Sequence, residues 1–313
     1  MGIKYLNSFM RSNCQKNIKQ ICLNELRGKT IAIDASIYLY RFKSDNCLTE
    51  GMYQMIGLFR HYNVRPLFVF DGKPPPEKNE VLRKRREEKK YAEHKYNEAK
   101  ERLKDYDLND DTADLEAEID KLRRKFIRIT QEDVDSVKTL MKLMGAAYYD
   151  APGESDGICA RLVQRKVAYA CMSEDMDMFA YGCPRVLRYM SLLHGTVVLY
   201  DLKGILNTLK ISIEDFKNIC ILAGTDYNTS EGQYFDLNKV VKLYSKFSKD
   251  KTSSGFYEWV SNNVSNVDYE SLKKCHNMFD TVHHPILRSK LIYTTYDKIN
   301  LQNHLRKYGF VFA

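Results

Sequence analysis

Three acids crowd the end of one apolar run. Val167-Ala168-Tyr169-Ala170-Cys171-Met172 is followed at once by Ser173-Glu174-Asp175-Met176-Asp177. The run has the length and residue types of a short buried strand. Carboxylates at the mouth of such a strand repel one another and are costly to desolvate, so a cation belongs there, and a divalent metal meets that need most directly. An Asp-x-Asp pair alone also suits a metal-dependent glycosyltransferase, so other residues must decide the chemistry.

Acids recur at comparable places. Asp34 ends the run Thr30-Ile31-Ala32-Ile33, and Asp71 ends Pro66-Leu67-Phe68-Val69-Phe70. Glu154 and Asp156 open a helix after a short strand pattern at 146–150, and Asp226 follows the helical run 216–222. Seven carboxylates (Asp34, Asp71, Glu154, Asp156, Asp175, Asp177 and Asp226) gathered in one place cannot all stay ionised without cations. Oxygen-only ligands favour magnesium or manganese over zinc, and two such ions activate a water and stabilise the oxygens of an in-line phosphoryl displacement. Taken singly, each acid has a plainer use. Asp34 suits a helix cap, and Glu154 and Asp156 suit the positive end of a helix.

Positioning these residues requires strands that end together. The alternation of strand and helix patterns predicts an α/β fold with a mainly parallel sheet, whose ligands sit outside the carboxyl ends of the strands. Helices are expected at 37–42, 53–62, 131–144 (closed by Gly145) and from Pro152 to about Gln164, with a further strand at 196–199. Between Glu77 and Lys104, Lys and Arg alternate with Glu, and Gly and Pro are absent. That pattern reads as a helix about 42 Å long, polar all round and therefore an exposed arm, with a return helix at 113–126. The expected organisation is 1–72 and 131–230 as two parts of one α/β domain, 73–130 as the arm, and 231–313 as a mostly helical region. Tyr308 to Phe312 reads as a terminal strand.

Composition narrows the class. Of 313 residues, 44% are apolar and 29% charged, a globular balance, and no apolar run approaches a membrane span of about 20 residues. The start of the chain has no signal-peptide pattern, and Leu6 breaks the myristoylation pattern, so a soluble intracellular protein is expected. Eight scattered cysteines without a C-x-x-C pair read as core thiols of a reducing compartment, and His283-His284 as a solvated turn. Net charge is +8, yet residues 105–120 hold eight acids and no Lys or Arg, which leaves +16 on the remainder. A basic body around an acid-lined centre suggests a polyanion partner, although charge alone does not separate nucleic acid from a merely solvated surface.

Read together, several stretches resemble the flap endonuclease family of structure-specific 5′ nucleases, with the poxvirus members the closest in likeness. They are Met1-Gly2-Ile3, Ile33-Asp34-Ala35-Ser36 with Tyr40, Val69-Phe70-Asp71-Gly72-Lys73-Pro74-Pro75, Leu143-Met144-Gly145, Asp150-Ala151-Pro152-Gly153-Glu154-Ser155-Asp156, Ser173-Glu174-Asp175-Met176-Asp177 and Gly224-Thr225-Asp226-Tyr227. The resemblance implies a PIN-like fold with a helical arch and a two-magnesium phosphodiesterase acting on branched, flapped or nicked DNA in replication, recombination or double-strand-break repair. Manganese is a substitute ion. Replication or recombination proteins are implied as further partners.

By motif, the seven acids fall on the family's metal-ligand positions, and Glu174 drops out. Asp156 stands where many members carry Glu, one methylene shorter in reach. Lys78 and Arg85 match the arch positions that face the scissile phosphate; the alternative is solvated charges paired with Glu77, Glu80 and Glu87. Tyr40 matches a residue that stacks on the nucleotide beside the cut, although an early helix could equally bury it.

One departure stands out. The family's glycine-rich hairpin after Gly-x-Asp-Tyr is replaced by Asn228-Thr229-Ser230-Glu231-Gly232-Gln233-Tyr234-Phe235-Asp236. Lys239, Lys242 and Lys246 could take over its phosphate contacts or form a solvated helix face. The departure also motivates a second reading, a DNA-junction-binding scaffold with weak or vestigial nuclease activity; an RNA-cleaving nuclease is a third. Gln302, Leu305 and Tyr308 only partly resemble a sliding-clamp-binding box, so clamp binding is not expected. Likeness to the poxvirus members points to host cytoplasm, whereas Arg83-Lys84-Arg85-Arg86 could serve nuclear import.

Overall fold

Alternation along the strands sets the layering. Ile31, Ile33, Phe68 and Phe70 join one buried cluster, while Ala32, Leu67 and Val69 join another on the opposite side of the sheet. Residues that alternate between two apolar clusters demand helices on both faces, which is the logic of a buried parallel sheet. The computed structural model describes residues 2–104, 112–228, 235–250, 255–265, 267–281, 286, 291–292 and 294–312.

The strands are β1 (Ile18–Cys22), β2 (Thr30–Asp34), β3 (Arg65–Phe70), β4 (Ala147–Asp150), β5 (Ala170–Met172), β6 (Arg185–Ser191), β7 (Thr196–Asp201) and β8 (Leu291–Ile292). They form one sheet in the order β1-β7-β6-β5-β2-β3-β4-β8. The inner run β6-β5-β2-β3-β4 is parallel throughout, and β7, β1 and β8 add antiparallel edges. The fold is therefore α/β with a mainly parallel centre, and β2, ending in Asp34, and β3, followed at once by Asp71, lie side by side in its middle.

Several boundaries differ from the sequence expectation. The first helix after β2 covers Ala35–Ser44 and the next Leu48–His61, both longer than their apolar cores. The run 167–172 contributes a strand only from Ala170. Lys166 adopts a left-handed turn, and the Val167 and Ala168 amides both donate to the Leu162 carbonyl, closing the preceding helix Ser155–Gln164. The expected terminal strand at Tyr308 to Phe312 does not form. Tyr308 lies in a turn after the helix Lys298–Arg306, and Phe310 packs edge-on against Tyr53 at 5.5 Å instead of pairing in the sheet.

The arm begins with a 3-10 turn, Pro76–Lys78, and continues as a helix over Asn79–Lys104. Its return helix, Ala113–Arg123, is shorter than expected, and the acidic link at 105–111 lies outside the described residues. The arm helix is not solvated all round, because Val81, Ala92 and Ala99 are buried. The Lys89 ammonium donates to the Ile127 carbonyl, Arg128 pairs with Glu93, and Arg102 pairs with Glu118. These bonds tie the two limbs of the arm together.

Six of the cysteines (14, 159, 171, 183, 220 and 275) are buried, and all eight carry free thiols. His283-His284 lies outside the described residues. No helix among the described residues is long and apolar enough to cross a membrane.

Candidate metal centre at the carboxyl ends of the strands

Asp34 is the last residue of β2 and only 5% exposed. It stands at the N-terminus of the following helix but makes no side-chain cap; its oxygens instead accept from Ser155 Oγ at 3.3 Å and Ser173 Oγ at 3.2 Å. Burial, with Asp71 and Asp175 nearby, pushes the Asp34 carboxyl up to about 8. Asp71, one residue beyond β3, accepts from Ser36 Oγ at 2.5 Å and from the Ser155 amide at 2.7 Å. Ser155 therefore ties the β2 and β3 acids to one helix start.

Asp156, Asp175 and Asp177 are also raised above the usual carboxylate range, each chiefly by burial. Asp34, Asp175 and Asp71 push Asp156 further up, while Asp175 and Asp226 do the same to Asp177. Asp175 accepts from the Asp177 amide at 2.9 Å, and the Ile3 amide bonds the Asp177 carboxylate. The backbone of Gly2, at φ +72°, lies so close to both that a methyl there would collide with an oxygen of each.

The cations come from the arm. Lys78 Nζ lies 2.5 Å from Glu154 Oε1 and 3.7 Å from Asp226 Oδ2. Arg85 Nη2 lies 2.6 Å from the same Asp226 oxygen. Burial pulls the Lys78 ammonium down, but Glu154, Asp156 and Asp226 outweigh it and hold it above its ordinary value. Lys78 and Arg85 thus pair with acids of the centre, not with Glu77, Glu80 and Glu87; it is Arg83 and Lys84 that pair with Glu87 and Glu80 along the helix.

All seven acids accordingly meet in one electrostatic network drawn from five separate stretches of chain. Their fit to a hard cation can be judged from the donors. Every ligand atom offered is oxygen, and Asp156 Oδ1 and Asp177 Oδ1 are buried with no hydrogen-bond partner. Among the described residues no three of these carboxylates lie together closely enough to form a finished metal shell. The donor chemistry fits a divalent oxygen-seeking ion.

The remaining sequence candidates separate clearly. Tyr40 is 43% exposed, so it is not a core residue; its ring lies 4.9 Å from Lys89 Nζ, and its pKa is raised by burial and by Asp71. Lys239, Lys242 and Lys246 are exposed on the helix Leu237–Phe247, whose Leu237 and Val240 are buried, so they form one outward face. Residues 229–234 of the altered hairpin lie outside the described residues. Leu305 of the clamp-box pattern is fully buried and unavailable to a partner. Glu174 serves the fold: it accepts from the Tyr189 amide at 2.6 Å and pairs with the buried Arg188.

Sequence reasoning missed the neutral groups. Ser36, Ser155 and Ser173 orient the acids, and Tyr227 OH donates to Glu154 Oε2 at 2.5 Å. All four lie inside the motifs quoted above, within two residues of an acid, which is the signal that could have found them.

Comparison with known proteins agrees with this arrangement. The XPG N-terminal domain model matches residues 1–92, and the XPG I-region model matches residues 145–226. The fold is similar to the catalytic core of Rad2 in complex with DNA substrate, with a TM-score of 0.71 at 20% identity over 99% of this chain and 96% of that one. It is also similar to flap endonuclease-1 from Methanococcus jannaschii, with a TM-score of 0.63 at 22% identity over 98% of this chain and 93% of that one. These define the class: a PIN-like α/β protein with XPG regions and a helical arm.

In sequence, the chain is 32% identical to Flap endonuclease 1 of Methanococcus aeolicus over 245 residues, 73% of this chain and 69% of that protein. The chain belongs to the flap endonuclease family. Flap endonuclease 1 of Chlamydomonas reinhardtii is also 32% identical, over 72% of this chain but only 59% of its own length, so the chain spans less than two thirds of that relative.

Proposed function

We propose that this chain is a magnesium-dependent, structure-specific DNA nuclease that hydrolyses phosphodiesters in branched, flapped or nicked DNA during replication, recombination and double-strand-break repair. The observation that carries the reading is the meeting of seven carboxylates with two arm cations, where buried Asp156 Oδ1 and Asp177 Oδ1 have no protein partner. Asp34, Asp71, Glu154, Asp156, Asp175, Asp177 and Asp226 would hold two magnesium ions, with manganese a substitute. Bound there, the ions supply an activated water and stabilise the oxygens of an in-line displacement at phosphorus.

The protein groups have distinct tasks. Lys78 and Arg85 face the scissile phosphate and stabilise the charge that develops on it. Tyr40, half exposed beside Asp71, offers its ring to the adjacent base. Lys239, Lys242 and Lys246 hold the duplex by its backbone, in place of the family's glycine-rich hairpin. The altered hairpin sequence favours a second reading, a junction-binding scaffold with little cleavage. A panel of 5′-flapped, nicked, gapped and blunt DNA in magnesium or manganese, with product ends mapped, separates the two. The nuclease reading expects discrete cuts at the branch; binding without cleavage in either metal supports the scaffold.

A further inference from the structure

We propose that Tyr227 is the positioning residue of this centre: its hydroxyl fixes Glu154 and its ring seats Lys78, so one side chain sets both an acid ligand and the arm cation. The inference rests on the metal-centre reading above and extends it to a residue that is neither acid nor base.

Glu154 needs such a holder. It occupies the N-cap position of the helix Ser155–Gln164 but makes no side-chain cap, so its own helix does not fix its rotamer. It also has one more rotatable bond than the aspartates around it, and hence more orientational freedom to lose. Both of its oxygens are nevertheless taken, Oε1 by Lys78 Nζ at 2.5 Å and Oε2 by Tyr227 OH at 2.5 Å. By contrast, Asp156 and Asp177 each keep one oxygen without a partner. Like Asp34, whose oxygens accept from Ser155 and Ser173, Glu154 is oriented by side chains from other elements, but it has the longer side chain to hold.

Tyr227 is itself held firmly. Its hydroxyl meets Tyr181 OH at 2.9 Å, and Tyr181 is 2% exposed. Phe279 packs against both rings, with centroids 5.3 Å from Tyr227 and 4.8 Å from Tyr181. The loop that carries it is closed by Asn228, which accepts from the Thr225 amide at 2.6 Å and donates to the Ile221 carbonyl at 2.7 Å. Asp226 and Tyr227 are therefore delivered together, and both meet Lys78, Asp226 Oδ2 at 3.7 Å and the Tyr227 ring centroid at 5.6 Å. A cation over an aromatic face is attracted to it, so the ring defines where the ammonium rests.

The test is Tyr227→Phe, which deletes one oxygen and keeps the ring. Manganese binding to the protein without DNA, by electron paramagnetic resonance, is measured beside single-turnover cleavage of 5′-flapped DNA, thermal unfolding and DNA affinity. Loss of an outer-shell partner costs about 10- to 100-fold in metal affinity or activity. Weaker manganese binding and slower cleavage in that range are expected, with unfolding and DNA affinity unchanged, and a smaller loss of the same kind in Tyr181→Phe. Tyr227→Leu, which also removes the ring, should slow cleavage further in the parent chain but not in a Lys78→Ala background. Wild-type manganese affinity and rate in Tyr227→Phe would overturn the proposal, as would a loss that merely tracks unfolding or DNA binding. If the parent binds manganese, Tyr227→Phe weakens it and neither cuts any DNA, the positioning role stands and the nuclease reading fails. A parent chain that binds no manganese overturns both.

Discussion

Arg85 Nη2 lies 2.6 Å from Asp226 Oδ2, across 141 residues of sequence. The first two turns of the arm are thereby fixed to the loop that follows the helix Ile213–Ala223, directly above the sheet end. This ion pair, with Lys78 on Glu154, aims its basic face at the acids.

Removing that pair should affect chemistry far more than folding. The Arg85 side chain is 40% exposed, and exposed pairs contribute about 0–1 kcal/mol. Arg85→Ala is expected to shift the unfolding midpoint by only a few degrees while slowing single-turnover cleavage roughly 100- to 1,000-fold, the range seen when a donor to a developing charge is deleted. Equal rates in Arg85→Ala and the parent would remove Arg85 from the reaction.

Stability should fall as pH rises, and metal should offset that fall. The Asp34 carboxyl rises from its ordinary 3.8 to about 8 in the fold, with Asp156, Asp175 and Asp177 moving the same way. Below pH about 4 the carboxyl is protonated in folded and unfolded chains alike, so its full contribution is present. As pH climbs toward about 8 the unfolded chain has lost the proton and the fold retains it, so stability falls across that window. In chelator, the unfolding midpoint should drop between pH about 5.5 and about 8, and excess magnesium should restore it increasingly at the higher pH. Asp34→Asn should flatten the pH slope and weaken the magnesium effect. A midpoint in chelator that does not fall with pH contradicts the coupling.

Tyr40 should govern where the cut falls. Base stacking on an aromatic ring is worth about 1–3 kcal/mol, and the phenol oxygen adds little to it. Tyr40→Phe is expected to cut at the parent position, whereas Tyr40→Ala should scatter product ends and lower the rate. Sequencing-gel mapping of the ends reads this directly; an unchanged single product from Tyr40→Ala removes the stacking role.

Much of the centre was legible because β2, β3 and β5 are short and buried over the residues that lead up to the acids. Each apolar run had to end somewhere, and a carboxylate at that end is conspicuous; Asp34, Asp71 and Asp175 were found this way. Strands whose polarity is mixed were not legible. β6 carries Arg188 inward, 6% exposed and matched by Glu174 from the β5 end, so its alternation does not look like a strand's. β1 lies on the sheet edge with half-exposed residues and gives no apolar run. The aromatic residues Tyr308, Phe310 and Phe312 suggested a strand, but tertiary packing against Tyr53 uses Phe310 as a loop plug. Contacts such as Lys78 to Glu154 are set by how the arm lands, which no local pattern encodes.

The lysine face of the helix Leu237–Phe247 should be read by salt. Each phosphate neutralised on duplex DNA contributes about −0.9 to the slope of log affinity against log salt. The triple change of Lys239, Lys242 and Lys246 to Ala is expected to flatten that slope by roughly 2–3 and to weaken binding of nicked duplex, while metal affinity stays at the parent value. An unchanged slope would make these lysines a solvated surface.

The most direct test of the account is single-turnover cleavage of 5′-flapped DNA in magnesium by Asp175→Asn, a nearly isosteric change that removes one charge from the seven-acid network. The account predicts a soluble, folded protein that still binds the DNA and cuts it at least about 100-fold more slowly than the parent, as expected when a group that organises transition-state charge is lost. Cleavage at the parent rate would contradict the assignment of this acid cluster as the metal centre.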